Sequence, residues 1–304
     1  MRIYLTGASG FVGSNLARVF EARGAELIRP GHADVDLTER DLVRRSVAAT
    51  QPDAIVHSAI WNAFAELTRD RRRAWDSYVG ATRNLVDAAN AVGARVVLIS
   101  TDWVFDGTQG PAAEDEPPNP INPYGFLKAA SELVVTERAQ RGTVARIAGV
   151  QGIHWERPEA PRAQDAGFGY FVASLVDALR AGQRFEVWDD PRLNTRATPT
   201  LATDAAELIW RALERDAGGI LHCCGGEHAD RVGLAQRAVE VFELDEELLD
   251  VGPPPADALP PGGAPFDTRL DAAQTARVLV AELPDLTTML GRLRAQMETH
   301  CLTT

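Results

Sequence analysis

The chain opens on a strand, a glycine-rich turn and a helix with nothing between them. Arg2-Ile3-Tyr4-Leu5 reads as a strand, and Thr6-Gly7-Ala8-Ser9-Gly10-Phe11-Val12-Gly13 follows at once. An amphipathic helix over residues 14–23 then stops at Gly24 in the C-cap position. Glycines at Gly-x-x-Gly-x-x-Gly spacing let the backbone turn tightly, approach a pyrophosphate closely and pack the helix on the strand. The first helical turn offers N–H groups and a positive dipole end to phosphate. Gly7, Ser9, Gly10, Phe11, Val12 and Gly13 are therefore the expected dinucleotide cradle.

The alternation continues through the first half. Strands are expected over 26–29, 53–57, 95–99 and 143–147, with a helix opened by Thr38 as N-cap, another over about 72–92, and one from Tyr124 to about residue 140. This order predicts an α/β fold, a doubly wound parallel sheet of the Rossmann type. Residues 1–150 read as the dinucleotide-binding domain. Residues 151–304 read as mainly a smaller α/β substrate lobe, with the chain returning to the first domain around 195–217. There, 155–166 reads as a loop or lid, 171–180, 203–215, 232–242 and 283–297 as helices, and 185–188 and 220–223 as strands. The Pro/Gly-dense stretch 253–265 is an irregular connection.

Bulk properties narrow the partners. Acidic residues outnumber basic ones 43 to 31, a formal net charge of -12, which argues against a nucleic-acid or anionic-membrane surface. No apolar stretch approaches membrane-spanning length, and Met1 leads straight into the first strand. Cys223, Cys224 and Cys301 form neither a disulfide framework nor a zinc pattern, and the adjacent pair suits a short buried strand. A reduced, cytoplasmic setting without a bound metal is expected.

The chemistry concentrates in two stretches. Ser100-Thr101-Asp102-Trp103-Val104-Phe105-Asp106-Gly107 closes the fourth strand, and Tyr124-Gly125-Phe126-Leu127-Lys128 follows on a helix. Tyr124 and Lys128, four apart, share one helix face. Ligands bind at the carboxyl ends of parallel strands, where Thr101 stands. A carbonyl receiving hydride needs a proton donor within reach. Tyr124 fits that task if a neighbouring ammonium lowers its pKa from about 10. Thr101 can donate to the same oxygen. Lys128 is the only lysine in the chain, which favours a task needing a compact, tunable charge.

These residues carry a resemblance to the extended short-chain dehydrogenase/reductases, and within them to the dTDP-4-dehydrorhamnose reductase group. The matching pieces are TGASGFVG, DLTE, STDWVFDG, NPYGFLKAASE, TPTLATDAAELI and GGILHCCGGE. The resemblance implies hydride transfer from a nicotinamide cofactor to a keto group on a nucleotide-linked 6-deoxy sugar, with Thr101, Tyr124 and Lys128 as the catalytic set. Lys128 would also bind the nicotinamide ribose. Asp36 and Leu37 match the stretch beside adenine, and Ser58, Ala59 and Ile60 the strand end over the cofactor. Asp102, Trp103, Arg192 and Arg196 are candidates for substrate, as are Arg157 and Arg162 for its phosphates. Homodimers are common for this fold.

Four positions depart from the group's pattern. Trp103 replaces a Tyr, Gly149 a substrate-stacking Trp, Tyr78 an Asn near the catalytic tyrosine, and His57 a strand-end Asn; His57 reads as a histidine satisfied by backbone. After the second strand comes Arg29-Pro30-Gly31-His32, with no acid until Asp34, so Arg29 suits a 2′-phosphate. NADP(H) is favoured and NAD(H) possible. A 4,6-dehydratase would want a second carboxylate where Trp103 stands. A nucleotide-sugar epimerase, or a cofactor-binding regulatory protein without turnover, remains an alternative.

Overall fold

Short runs of buried apolar residues set the framework. The first half comprises β1 (Arg2–Thr6), α1 (Phe11–Ala22), β2 (Glu26–Ile28), α2 (Arg40–Thr50), β3 (Ala54–His57), α3 (Arg71–Trp75), α4 (Ala81–Val92), β4 (Arg95–Thr101), α5 (Pro123–Arg138) and β5 (Gly142–Ile147). Then come β6 (Val150–Gln151), α6 (Phe171–Arg180), β7 (Phe185–Trp188), β8 (Arg196–Ala197), β9 (Thr200–Leu201), α7 (Ala202–Glu214) and β10 (Gly219–His222). β11 (Ala229–Asp230), α8 (Arg231–Phe242), β12 (Leu249–Gly252), α9 (Ala273–Leu279) and α10 (Leu286–Thr299) complete the chain. These elements belong to a computed structural model that describes residues 1–158, 163–259 and 262–302. Arg162 and part of the 155–166 and 253–265 connections lie outside the described residues.

Six strands pair in the order β10-β5-β4-β3-β1-β2, every pair parallel. β3 and β4 are buried along their whole length, so the sheet needs cover on both faces. On one face α1 and α7 bring Leu16, Phe20, Ile209 and Trp210 into a single apolar cluster, with the Phe20 and Trp210 rings 5.7 Å apart. On the other, Val43 and Val47 of α2 meet Leu85 and Val86 of α4. Truncating such a leucine to alanine costs about 2–5 kcal/mol. The strand order reverses between β1 and β3, and there a crevice opens at the carboxyl ends of the strands.

A separate core forms where α6, α8 and α10 bring together Phe171, Leu175, Leu234, Ala238, Leu290 and Leu293. α7 and β10 nevertheless belong to the central sheet and its cover.

Several local expectations need correction. The first helix starts at Phe11 rather than Ser14, because the extended backbone of Gly10 serves as its cap. Thr38 does not cap α2; its hydroxyl donates to Asp36 Oδ1 at 2.7 Å, and Glu39 takes the cap position without a side-chain bond. The helical stretch before Gly93 contains a π-helical segment, Asp76–Gly80, between α3 and α4. Cys223 and Cys224 follow β10 rather than lying in it, although both are buried.

Candidate active site

The glycine turn is built by close approach. A Cβ on Gly13 would stand 1.9 Å from the Gly7 carbonyl oxygen, so nothing larger fits where α1 packs on the loop. No side chain caps α1, which leaves its first turn facing the crevice. Beyond it lies a cavity of about 840 Å³ lined by Gly7, Ser9, Arg29, Asp36, Leu37, Ala59 and Ile60, among others. Gly10 and Gly13 shape the turn without lining the cavity. Phe11 turns away from it and meets the edge of the Tyr170 ring at 4.4 Å. The fit to a dinucleotide thus rests on a tight cradle, a helix start and a long adjoining cavity.

The Arg29 guanidinium lines this cavity but is already engaged. It pairs with Glu21 and lies 3.9 Å from Glu156, so a 2′-phosphate would have to displace a carboxylate. Arg72 and Arg73 line the same space, and Arg73 sits 4.4 Å over the Trp61 ring. A run of three arginines on a helix ordinarily signals a solvated face, so neither is legible as a site residue from sequence. Nor is Asn84 of α4, whose amide donates to the carbonyls of Leu37 and Thr38 and so tethers the adenine-side stretch. Asp36 Oδ1 accepts from the Thr38 backbone and hydroxyl, which holds its carboxyl below the usual range.

A second cavity of about 430 Å³ meets the first at Ile60. Thr101, Tyr124 and Lys128 all line it, together with Val12, Ser58, Asp102, Trp103 and Gly149. Asn122 and Pro123 explain why α5 starts where it does. Asn122 Oδ1 accepts from Gly125 N at 2.9 Å as N-cap, and proline takes the first helical position. Gly125 lets α5 close on the loop after β4, since a Cβ there would lie 2.2 Å from the Trp103 carbonyl oxygen. Tyr124 is thereby set among three rings met edge-on: Phe64 at 5.2 Å, Tyr78 at 6.2 Å and Trp103 at 6.3 Å.

The electrostatics differ from the expectation of a phenol acidified by its neighbour. Burial pushes the Tyr124 phenol above its ordinary value; a hydrogen bond with Thr101 opposes the rise and the Asp102 charge adds to it. The Lys128 ammonium donates to the Ile99 carbonyl at 2.7 Å, and burial lowers it to about 8, with Glu132 opposing. Thr101 donates its single hydroxyl proton to Asp102 Oδ1 at 3.0 Å and accepts from Trp103 N at 3.2 Å. Burial raises Asp102 to about 6. Both oxygens of Asp102 face threonines, Thr101 and Thr268, rather than a substrate.

Other candidates lie elsewhere. Arg192 pairs with Asp190 and Arg196 stacks 5.5 Å from the Phe266 ring; neither lines the described cavities. On β8 it is Ala197 that packs into the second core, while Arg196 is exposed. Arg157 reaches the Ser9 carbonyl, on the dinucleotide side. His57 is buried and neutral at neutral pH, lowered to about 3 by burial and then by Lys128. Its Nδ1 bonds the Thr6 hydroxyl at 2.8 Å, so a side chain and not the backbone satisfies it. Tyr78, in the π-helical segment, donates to the Trp61 carbonyl at 3.1 Å.

No local pattern marks the strut behind this cavity. Arg231, fully buried at the start of α8, donates to the carbonyls of Asn194, Asp165 and Gly167 and to the Gln164 amide oxygen. It thereby fixes the loop that brings Asp165, Gly167 and Phe168 to the cavity wall.

Comparison with known proteins gives a consistent kinship. Residues 1–299 match the family described as RmlD substrate binding domain. A dTDP-4-dehydrorhamnose reductase of Streptomyces griseus is 33% identical over 73% of this chain and 69% of its own. A dTDP-4-keto-6-deoxy-D-glucose reductase of Streptomyces niveus is 28% identical over 86% and 85%. Methionine adenosyltransferase 2 subunit beta of Bos taurus is 28% identical over 82% and 74%. Among solved structures, a dTDP-4-dehydrorhamnose reductase from Clostridium acetobutylicum superposes with a TM-score of 0.82 at 21% identity, covering 98% of this chain and 100% of its own. The Bacillus anthracis protein of that name, in complex with NADP, gives 0.79 at 21% identity, covering 97% and 99%.

Proposed function

This chain belongs to the family of the RmlD substrate binding domain, and from that premise we propose that it is an NAD(P)H-dependent reductase of the keto group on a nucleotide-linked 6-deoxy sugar. The observation that carries this reading is the convergence of Thr101, Tyr124 and Lys128 on one cavity that opens into the dinucleotide crevice. The nicotinamide cofactor supplies the hydride. Gly7, Ser9, Val12, Ala59 and Ile60 would hold it along the crevice, with Lys128 at its ribose. Tyr124 Oη delivers the proton to the carbonyl oxygen as negative charge develops there. Lys128 keeps a positive charge beside that step while anchored on Ile99. Thr101, its proton committed to Asp102, keeps its oxygen beside Tyr124 Oη and so orients the phenol toward the carbonyl. NADP(H) is favoured by the absence of a carboxylate directly after β2, and NAD(H) is accepted as well.

A second reading is a cofactor-binding regulatory protein, favoured by the likeness to the beta subunit of methionine adenosyltransferase 2. The two separate cleanly. Purified protein is mixed with NADPH or NADH and a panel of dTDP-4-keto-6-deoxy sugars, and cofactor absorbance is followed. Oxidation with a reduced sugar product supports the reductase; tight cofactor binding with no oxidation across the panel supports the regulator. No described helix is long and apolar enough to cross a membrane. A cytoplasmic setting and a homodimer complete the proposal.

A further inference from the structure

Thr268 lies 166 residues from Asp102 in sequence and does not line the substrate cavity, yet it donates to Asp102 Oδ2 at 2.5 Å. Its hydroxyl is buried, and of the two acceptors within its reach, Asp102 Oδ2 at 2.5 Å and Asn194 Oδ1 at 3.3 Å, the carboxylate is the closer and the charged one. Asn194 Nδ2 donates to Thr268 Oγ1 at 3.1 Å, so the threonine oxygen is already an acceptor and its hydrogen goes to the carboxylate. Its backbone N–H is fixed on the Arg196 carbonyl at 2.8 Å. Asn194 is in turn pinned by the Pro265 carbonyl and by Arg231 on its own carbonyl. The far end of this chain of bonds is the Thr101 hydroxyl, which donates to Asp102 Oδ1.

We propose that Thr268 is a positioning residue for the reductive step: by holding one oxygen of Asp102 it orients the other toward Thr101, and so keeps the Thr101 hydroxyl in register with Tyr124. The proposal rests on the reductase reading. Without the Thr268 donor one carboxylate oxygen loses its closest partner, the Asp102 and Trp103 backbone N–H groups and Thr101 alone set the terminal torsion, and the acceptor for the Thr101 proton is held less firmly. A buried carboxylate held by hydroxyl donors on both oxygens is a stiff support. The segment that supplies Thr268 comes from the last fifth of the chain, so the catalytic end of β4 is complete only when that segment has docked.

Two measurements on the full chain test this. Carboxyl-carbon NMR of aspartate-labelled protein, with the Asp102 signal assigned by Asp102→Asn, follows the carboxyl through pH. The ionisable groups that sense its charge are Tyr124 of α5 and Cys224 behind β10, and neither titrates in the acidic range used. Thr268→Val removes a bond that favours the carboxylate, so the Asp102 midpoint moves to higher pH, while Thr268→Ser leaves it in place. Steady-state reduction of the best keto-sugar nucleotide then shows kcat about tenfold lower in Thr268→Val with KM within about twofold, and Ser restores the rate. Thr268→Ala replaces the valine variant if that does not fold. An unmoved midpoint, or an unchanged kcat, overturns the proposal. A parent protein that oxidises no cofactor with any keto sugar sinks the reductase reading and the kinetic half with it, whereas an active Thr268→Val sinks only this inference.

Discussion

The two cavities that meet at Ile60 are assembled in opposite ways. The larger is lined almost wholly by residues of the first eighty, in stretches that follow β1, β2 and β3. Its walls carry Arg29, Arg72, Arg73, Asp36 and Asp70 beside apolar residues such as Val35, Leu37 and Trp61. The smaller draws on stretches scattered from Val12 to Ala258, and its walls are aromatic rings, with Lys128 the single basic side chain among the described lining residues. A contiguous site can bind its ligand once one βαβ unit has formed. A dispersed site depends on the docking of distant segments, and small changes far from the chemistry should reach it. Binding of the dinucleotide and turnover should therefore be separable by mutation.

The largest expected separation comes from Tyr124→Phe. Reduction falls about a thousandfold with loss of the proton donor, while the cofactor Kd measured by fluorescence stays within about twofold. Equal losses in both would merge the two sites. Arg231→Met should come next. It leaves several buried carbonyls of the 164–167 loop and Asn194 without their donor, at about 3 kcal/mol of stability in denaturant unfolding. In the folded fraction, KM for the sugar rises and dinucleotide affinity holds.

A third test uses pH. Lys128, lowered to about 8, is charged below that value and neutral above it, so activity falls as pH rises through 8, about tenfold by pH 9. The same shift acts on stability with the opposite trend. The fold carries the burden of the charged ammonium in full below pH 8, and is relieved between 8 and the ordinary lysine value. Lys128→Met should lack both the alkaline limb in the rate profile and the gain in stability. The smallest effect is expected at Arg29. Because Glu21 already holds that guanidinium, Arg29→Ala should weaken NADPH relative to NADH by only about threefold in a direct binding titration. A loss of a hundredfold would show that the carboxylate yields readily to phosphate.

The same contrast explains what could be read from the chain. The glycine turn, the parallel strands and the helix carrying Tyr124 and Lys128 are local patterns, each spelled within a dozen residues. Asn122 and Pro123 even mark the first turn of α5. Arg231, Asn194 and Thr268 act through contacts made by tertiary packing, and nothing in their neighbours distinguishes them from other polar residues. Arg192 and Arg196 show the converse error, since position in the second half suggested phosphate contacts that their ion pair and ring stacking do not provide. Helix spacing places an ammonium near the Tyr124 phenol and so predicts an acidified one; spacing alone does not reveal the depth of burial that pushes the phenol up instead.

One continuous stretch of helix touches both sites. Tyr78, in the π-helical segment, leans on the Tyr124 ring, and Asn84, six residues on in α4, grips the carbonyls beside Asp36. The stretch therefore works as a caliper, holding Tyr78 and Asn84 about 9 Å apart along its own axis and so tying the two sites to one rigid spacing. Removing a single residue from the π-helical segment would turn one jaw by roughly 100° relative to the other. Such a protein would keep its sheet and both pockets, and lose the gauge that aligns them.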